Sequence, residues 1–177
     1  MTQPEPPAKR PFLYVVVCAA GAADGIGKLI GPAQEAGWDV GVIATPTAAD
    51  GFFDVAAVRA QTGRDVRAAS RRPGTPRPFP PADAVVVAPA TFNTLNKWAA
   101  GIADTLAVAT LCEAFGAGVP VAVAPCVSEQ LAAHPAYRES VRRLRTMGVL
   151  FAQGPFGWEA ATELLAGLRV DVAPQAP

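Results

Sequence analysis

The stretch DAVVVAPATFNT, residues 83–94, decides the reading of the chain. Residues 83–88 are alanine and valine with no polar alternation after Asp83, the mark of a strand covered on both faces. Residues 89–94 (PATFNT) predict a turn that brings two hydroxyls and a carboxamide to a helix start. Beyond it, residues 95–118 read as helical with a break at Gly101, and residues 119–124 (VPVAVA) as the next buried strand. Toward the start of the chain, residues 11–18 (PFLYVVVC) and 38–44 (WDVGVIA) repeat the strand signature. Between them Ile26, Leu29, Ile30 and Ala33 share one helical face within residues 26–37. A short helix is expected over residues 52–60, with Phe53, Ala56 and Ala57 on one face. Residues 127–147 read as helical with an interruption near Pro135, residues 149–153 as a short strand, and residues 159–168 as a closing helix. Short apolar strands alternating with helices imply an α/β fold, a three-layer, doubly wound parallel sheet. Such sheets bind ligands at the carboxyl ends of their strands.

Composition narrows the class. The chain has 177 residues, 51% of them hydrophobic, which excludes a disordered chain and suits one domain. That domain is expected at residues 11–170, between tails at 1–10 and 171–177. Fifteen basic side chains balance fifteen acidic ones, so no global field draws nucleic acid or an anionic membrane. A weakly charged, neutral surface favours association into an oligomer. The longest apolar runs, such as residues 84–90, fall far short of the roughly 20 residues of a membrane span. The opening residues are polar and Pro-rich, without the apolar core of a signal peptide, so the expected location is the cytoplasm. Three cysteines (Cys18, Cys112 and Cys126) with no short pairing, and one histidine, give no metal-site pattern.

The candidate chemistry lies where the strands end. Ala19, Ala20 and Gly21 follow the first strand and let the backbone approach a phosphate at a helix start; tight helix–sheet packing would select the same small residues. The glycines at 21, 25 and 27 do not spell the dinucleotide fingerprint. Thr45, Pro46 and Thr47 follow the second strand, with hydroxyls suited either to a phosphate or to capping the next helix. Thr91, Asn93 and Thr94 follow the third, where an amide can meet a polyol, a ring edge or a phosphate, or cap the helix. Pro125, Cys126, Val127 and Ser128 follow the fourth. Three polar turns at successive strand ends describe a site for a phosphorylated cofactor. Residues 61–81, with Arg64, Arg67, Arg71, Arg72 and Arg77 among five prolines, read as a loop with a solvated face, or one that steers an anion.

These residues resemble the homo-oligomeric flavin-containing cysteine decarboxylases, a family that includes phosphopantothenoylcysteine decarboxylase and the lantibiotic peptide decarboxylases. The resemblance covers residues 12–151 and is strongest over residues 88–107, APATFNTLNKWAAGIADTLA, which is similar to the family's Pro-x-Ser-Ala-Asn-Thr motif and the Gly-x-x-Asp stretch after it. It implies a flavodoxin-like, Rossmann-like fold and bound FMN. Ala19, Ala20, Gly21, Thr45, Pro46 and Thr47 would hold the phosphate. Thr91 and Asn93, beside Phe92 and Thr94, would meet the ribityl chain and flavin edge, and Cys126 would lie near the ring. Phe92 stands where the family has a small residue, so its ring is expected to crowd that pocket. The resemblance also implies a trimer, or an assembly of trimers, with FMN at the subunit interface. Ser128 and His134 fall in the place of the family's substrate clamp, Ser128 where an asparagine is usual. Thr75 stands near the position of the family's catalytic histidine, and residues 151–161 have no counterpart of its late cysteine. The chain therefore reads as an FMN-binding flavoprotein, either a divergent decarboxylase or redox enzyme acting on a small or peptidyl substrate, or a non-catalytic flavin-binding or regulatory oligomer. No catalytic residue is assigned.

Overall fold

The structure, a computed structural model, describes residues 10–168, so the expected tails fall outside it except for Arg10. Five strands form one sheet: β1 (Phe12–Val17), β2 (Asp39–Ala44), β3 (Ala84–Ala90), β4 (Val121–Pro125) and β5 (Leu150–Phe151). Every pairing is parallel and the order is β2-β1-β3-β4-β5, the flavodoxin-like arrangement. Val15 of β1 lies opposite Val42 on one side and Val86 on the other.

Two-sided burial explains the apolar runs. Leu13, Val15 and Val17 of β1 enter one core with Ile26, Leu29, Ile30, Ala161 and Leu165. Phe12, Val16 and Cys18 enter the other with Leu95, Trp98, Leu111 and Leu144. The first core is covered by α1 (Gly27–Glu35), α3 (Val55–Thr62) and α8 (Trp158–Gly167), and the second by α4 (Phe92–Ala99), α5 (Leu106–Gly116) and α7 (Pro135–Thr146). Gly101, with φ of 73°, turns the chain between α4 and α5, where the sequence placed its break.

Three expectations are corrected. Pro89 belongs to β3 and not to a turn; the register with β4 shifts between Val87 and Ala90, the kind of irregularity where a strand tolerates a residue lacking an N–H. Residues 46–49 form a separate one-turn helix, α2 (Pro46–Ala49), because Thr45 caps it and Pro46 starts it. In α3 the buried residue is Val58, whereas Ala56 and Ala57 face solvent. A second one-turn helix, α6 (Glu129–Ala132), precedes α7.

Residues 61 and 62 complete α3, and the expected loop runs over residues 63–81 but is tied to the sheet. Arg67 donates its N–H to Val42 O (2.9 Å) and accepts from Ala44 N (2.7 Å), which extends the sheet by one bridge at the β2 edge. Further along, Phe79 is buried against Phe12 and Tyr14, and Tyr14 donates its hydroxyl to Pro80 O at 2.6 Å. Gly41 makes room for this closure, since a Cβ there would lie 2.8 Å from the Phe12 ring and 2.9 Å from the Phe79 ring. Gly41→Ala is therefore expected to destabilise the fold by about 1–3 kcal/mol through overpacking. At Gly21, where a Cβ meets nothing within 4 Å, the same change is expected to cost under about 0.5 kcal/mol. Urea unfolding of the two variants checks the difference.

Candidate functional site

Between β1 and β3 the strand order reverses, and there the connections leave toward opposite faces and open a crevice. Backbone bonds set the strand ends side by side: Cys18 N donates to Pro89 O (3.1 Å), Thr45 N to Val17 O (2.9 Å), and Cys126 N to Ala90 O (2.8 Å). A cleft of about 390 Å³ sits on the first three ends. It gathers Ala19, Thr45, Pro46, Thr47, Thr91, Asn93 and Thr94, together with Phe52, Lys97, Thr105 and Val108.

The hydroxyls divide into those already engaged and those free. Thr45 Oγ1 accepts from Ala48 N and caps α2, the alternative role foreseen for it. Thr94, only 4% exposed, accepts from the Cys18 thiol at 3.2 Å and bonds the Thr91 hydroxyl at 3.2 Å, tying β1 to the start of α4. Burial pushes the Cys18 thiol above its ordinary range, and the bonds with Thr94 and Thr91 only partly offset this. Thr47 and Asn93 are exposed, and neither side chain has a hydrogen-bond partner among the described residues. Ala20 and Gly21 stand beside the cleft on the β1 connection, and the N–H groups of Gly21 and Ala22 have no backbone acceptor among the described residues. Open space at Gly21, free N–H donors and two uncommitted polar side chains suit a phosphorylated polyol approaching from solvent.

Lys97 was missed in the sequence. Its Nζ lies 2.5 Å from Asp104 Oδ2 and supplies a cation to the same cleft. Its spacing of four residues from Asn93 on α4 was the available signal, because residues four apart share a helical face.

Cys126 and Ser128 line a second cleft, of about 540 Å³, between α7 and the chain after β5. Tyr137 and Arg145 line it as well, with the Arg145 guanidinium 5.2 Å from the centre of the Phe151 ring. Burial raises the Cys126 thiol; it also raises the Tyr137 hydroxyl, which Arg145 lowers in part. Ser128 caps α6 by accepting from Leu131 N at 3.3 Å. His134 caps α7, its Nδ1 accepting from Ala136 N at 3.1 Å, and lines neither cleft. The Phe92 ring stacks on Tyr137 at 5.9 Å and meets His134 edge-on at 5.8 Å, so it fastens α4 to α7 and lines neither cleft. Within one chain, Cys126 thus lines the same cleft as Ser128 and a different one from Thr91 and Asn93, although its backbone is bonded to Ala90 beside Thr91.

Comparison with known proteins agrees with this architecture. A family model described as Flavoprotein matches residues 3–167. The coenzyme A biosynthesis bifunctional protein CoaBC of Thermococcus kodakarensis is 39% identical over 75 residues, 42% of this chain and 18% of that protein. CoaBC of Bacillus subtilis is 37% identical over 79 residues, 45% of this chain and 19% of its own length. The matched stretches thus span under a fifth of these curated relatives. Among solved structures, the FMN-dependent cysteine decarboxylase TvaF from thioviridamide biosynthesis superposes with a TM-score of 0.75 at 24% identity, covering 90% of this chain and 98% of that one. A PPC decarboxylase mutant complexed with pantothenoylaminoethenethiol superposes with a TM-score of 0.69 at 20% identity, covering 89% and 97%. At these identities the two structures establish the shared fold.

The thiols give a direct check of the site's burial. Cys18, fully buried, is expected to resist iodoacetamide in the folded protein and to react once it is unfolded. Cys126 is expected to alkylate slowly near neutral pH and to speed up only as the pH rises above the ordinary thiol range, because only the thiolate attacks and burial has raised its pKa. Peptide mass spectrometry across pH reads both.

Proposed function

Because the chain belongs to the flavoprotein family, we propose that it binds FMN in the cleft over β1, β2 and β3 and works as a divergent decarboxylase or redox enzyme on a small or peptidyl substrate. One observation carries this reading: residues from three separate turns, Ala19, Thr45 to Thr47, and Thr91 with Asn93 and Thr94, converge on one cleft at the switch point of the sheet. The N–H groups beside Gly21 and the Thr47 hydroxyl would take the phosphate, and Asn93 with Thr91 the ribityl chain and ring edge. FMN, when bound, supplies a two-electron acceptor, while the protein supplies position and electrostatics. The working unit would be a homo-oligomer, a trimer or an assembly of trimers, with FMN at the subunit interface. That arrangement would let the Cys126 cleft of one chain serve the flavin held by another, in keeping with Cys126 lining a different cleft from Thr91 and Asn93 within a chain. Among the described residues no helix is long and apolar enough to cross a membrane, and a cytoplasmic location is proposed with the rest.

A second reading, a flavin-binding or regulatory oligomer without turnover, draws on the ionisable groups. The clefts offer Lys97, Cys126, Tyr137 and Arg145, and burial moves both Cys126 and Tyr137 away from ready deprotonation near neutral pH. His134 is engaged as a cap, and Thr75, near the family's histidine position, is exposed and donates its hydroxyl to Arg72 O. Carbon dioxide release from a cysteine-terminated peptide or phosphopantothenoylcysteine would select the enzyme, and flavin binding without release the carrier.

Asn93→Asp places a carboxylate beside the phosphorylated ligand and is expected to cut flavin retained after desalting at least tenfold, with folding unchanged because Asn93 is exposed. Wild-type flavin stoichiometry in this variant would remove Asn93 from the site.

A further inference from the structure

A third cavity, of about 310 Å³, lies between α5, the β1–β2 side of the sheet at Tyr14 and Ile43, and the arginine-rich loop that carries Phe79. Arg67, Ser70, Arg71 and Arg77 line it, and Ile43, Leu106 and Ala109 complete an apolar wall. It shares no lining residue with the other two clefts. The loop is held at both ends, by the backbone bonds of Arg67 to β2 and by the burial of Phe79, so these cations are kept over the cavity.

The arginines of this segment differ in how their charge is met. Arg59 pairs with Asp65, and Arg64 pairs with Asp39 while its guanidinium rests on the Phe12 ring. Arg67, Arg71 and Arg77 pair with no carboxylate among the described residues. Arg67 donates one bond to Ala69 O and Arg71 one to Thr75 O, which leaves most of their N–H groups free. Residues 68–78 contain no acid, and the one carboxylate lining the cavity is Glu113. Three uncompensated guanidinium groups beside a single carboxylate, above a wall of two aromatic rings and aliphatic side chains, define a ligand with a compact, highly negative end and a flat apolar body. A phosphate monoester carries roughly two charges and three acceptor oxygens, which suits three guanidinium forks better than one carboxylate does.

We propose that the cavity roofed by Arg67, Arg71 and Arg77 binds a phosphomonoester with a planar body, separately from the flavin cleft. This proposal does not depend on the flavin reading. Adenosine monophosphate is a suitable probe, titrated by calorimetry into the purified full chain with its flavin content recorded. The expected result is saturable binding that weakens at least tenfold in the Arg71→Ala/Arg77→Ala double variant and persists in Asn93→Asp. Adenosine, which lacks the charge, is expected to bind at least tenfold more weakly than the monophosphate. Both arginines are exposed, so the double variant is expected to keep the wild-type urea midpoint. No saturable heat, equal binding of adenosine, or binding that survives the arginine changes but disappears in Asn93→Asp would each overturn the proposal. The last outcome would move the ligand into the flavin cleft and leave the flavin reading standing.

Discussion

The molecule depends on one topological constraint: the chain lays β2 on one edge of β1 and then must cross back to lay β3 on the other. Parallel pairing requires each return to pass over a face of the sheet. The reversal sends the connections at β1 and β3 to opposite faces and leaves a gap at their carboxyl ends. The sequence meets the constraint with strands apolar on both sides, since Val15 and Val16 must each be buried although they point into different cores. It keeps the gap polar by placing Thr45, Thr91 and Thr94 just where regular pairing stops.

The linked side chains of Cys18, Thr94 and Thr91 show how the site is held rather than merely exposed. A buried hydroxyl needs partners, and Thr94 finds them across two strand ends, which fixes the entry of α4 against β1. Thr45 does the equivalent for α2. With those hydroxyls tied into structure, the wholly uncommitted groups are Thr47, Asn93 and the N–H donors near Gly21, while Thr91, bonded only to Thr94, keeps acceptor capacity toward the cleft. The polar turns therefore combine two roles that sequence reading weighed as alternatives.

Periodicity exposed most of the fold. β1, β3, the break at Gly101 and the interruption at Pro135 were legible because burial on both faces, a positive φ and a missing N–H each leave a compositional mark. Pro89 was misread because proline ordinarily ends a strand, and only the irregular pairing with β4 admits it. The face of α3 was misread because two exposed alanines carry no signal distinct from buried ones. At the site, the gathering of three turns followed from their place at the carboxyl ends of parallel strands, but the opening of Cys126 on a different cleft from Asn93 and the turning of Phe92 toward Tyr137 did not. Those depend on where α7 packs, which is a long-range outcome. The arginine loop reads as solvated in sequence because nothing local reveals that Phe79 and Arg67 anchor it.

The account stands on the cleft at the switch point holding a flavin phosphate. The most direct measurement is the visible spectrum of the purified protein, with any released cofactor identified by mass. The account predicts a yellow protein that releases FMN, close to one per chain. A colourless protein that also fails to take up added FMN would contradict it, leaving the fold intact and the cleft without its proposed ligand.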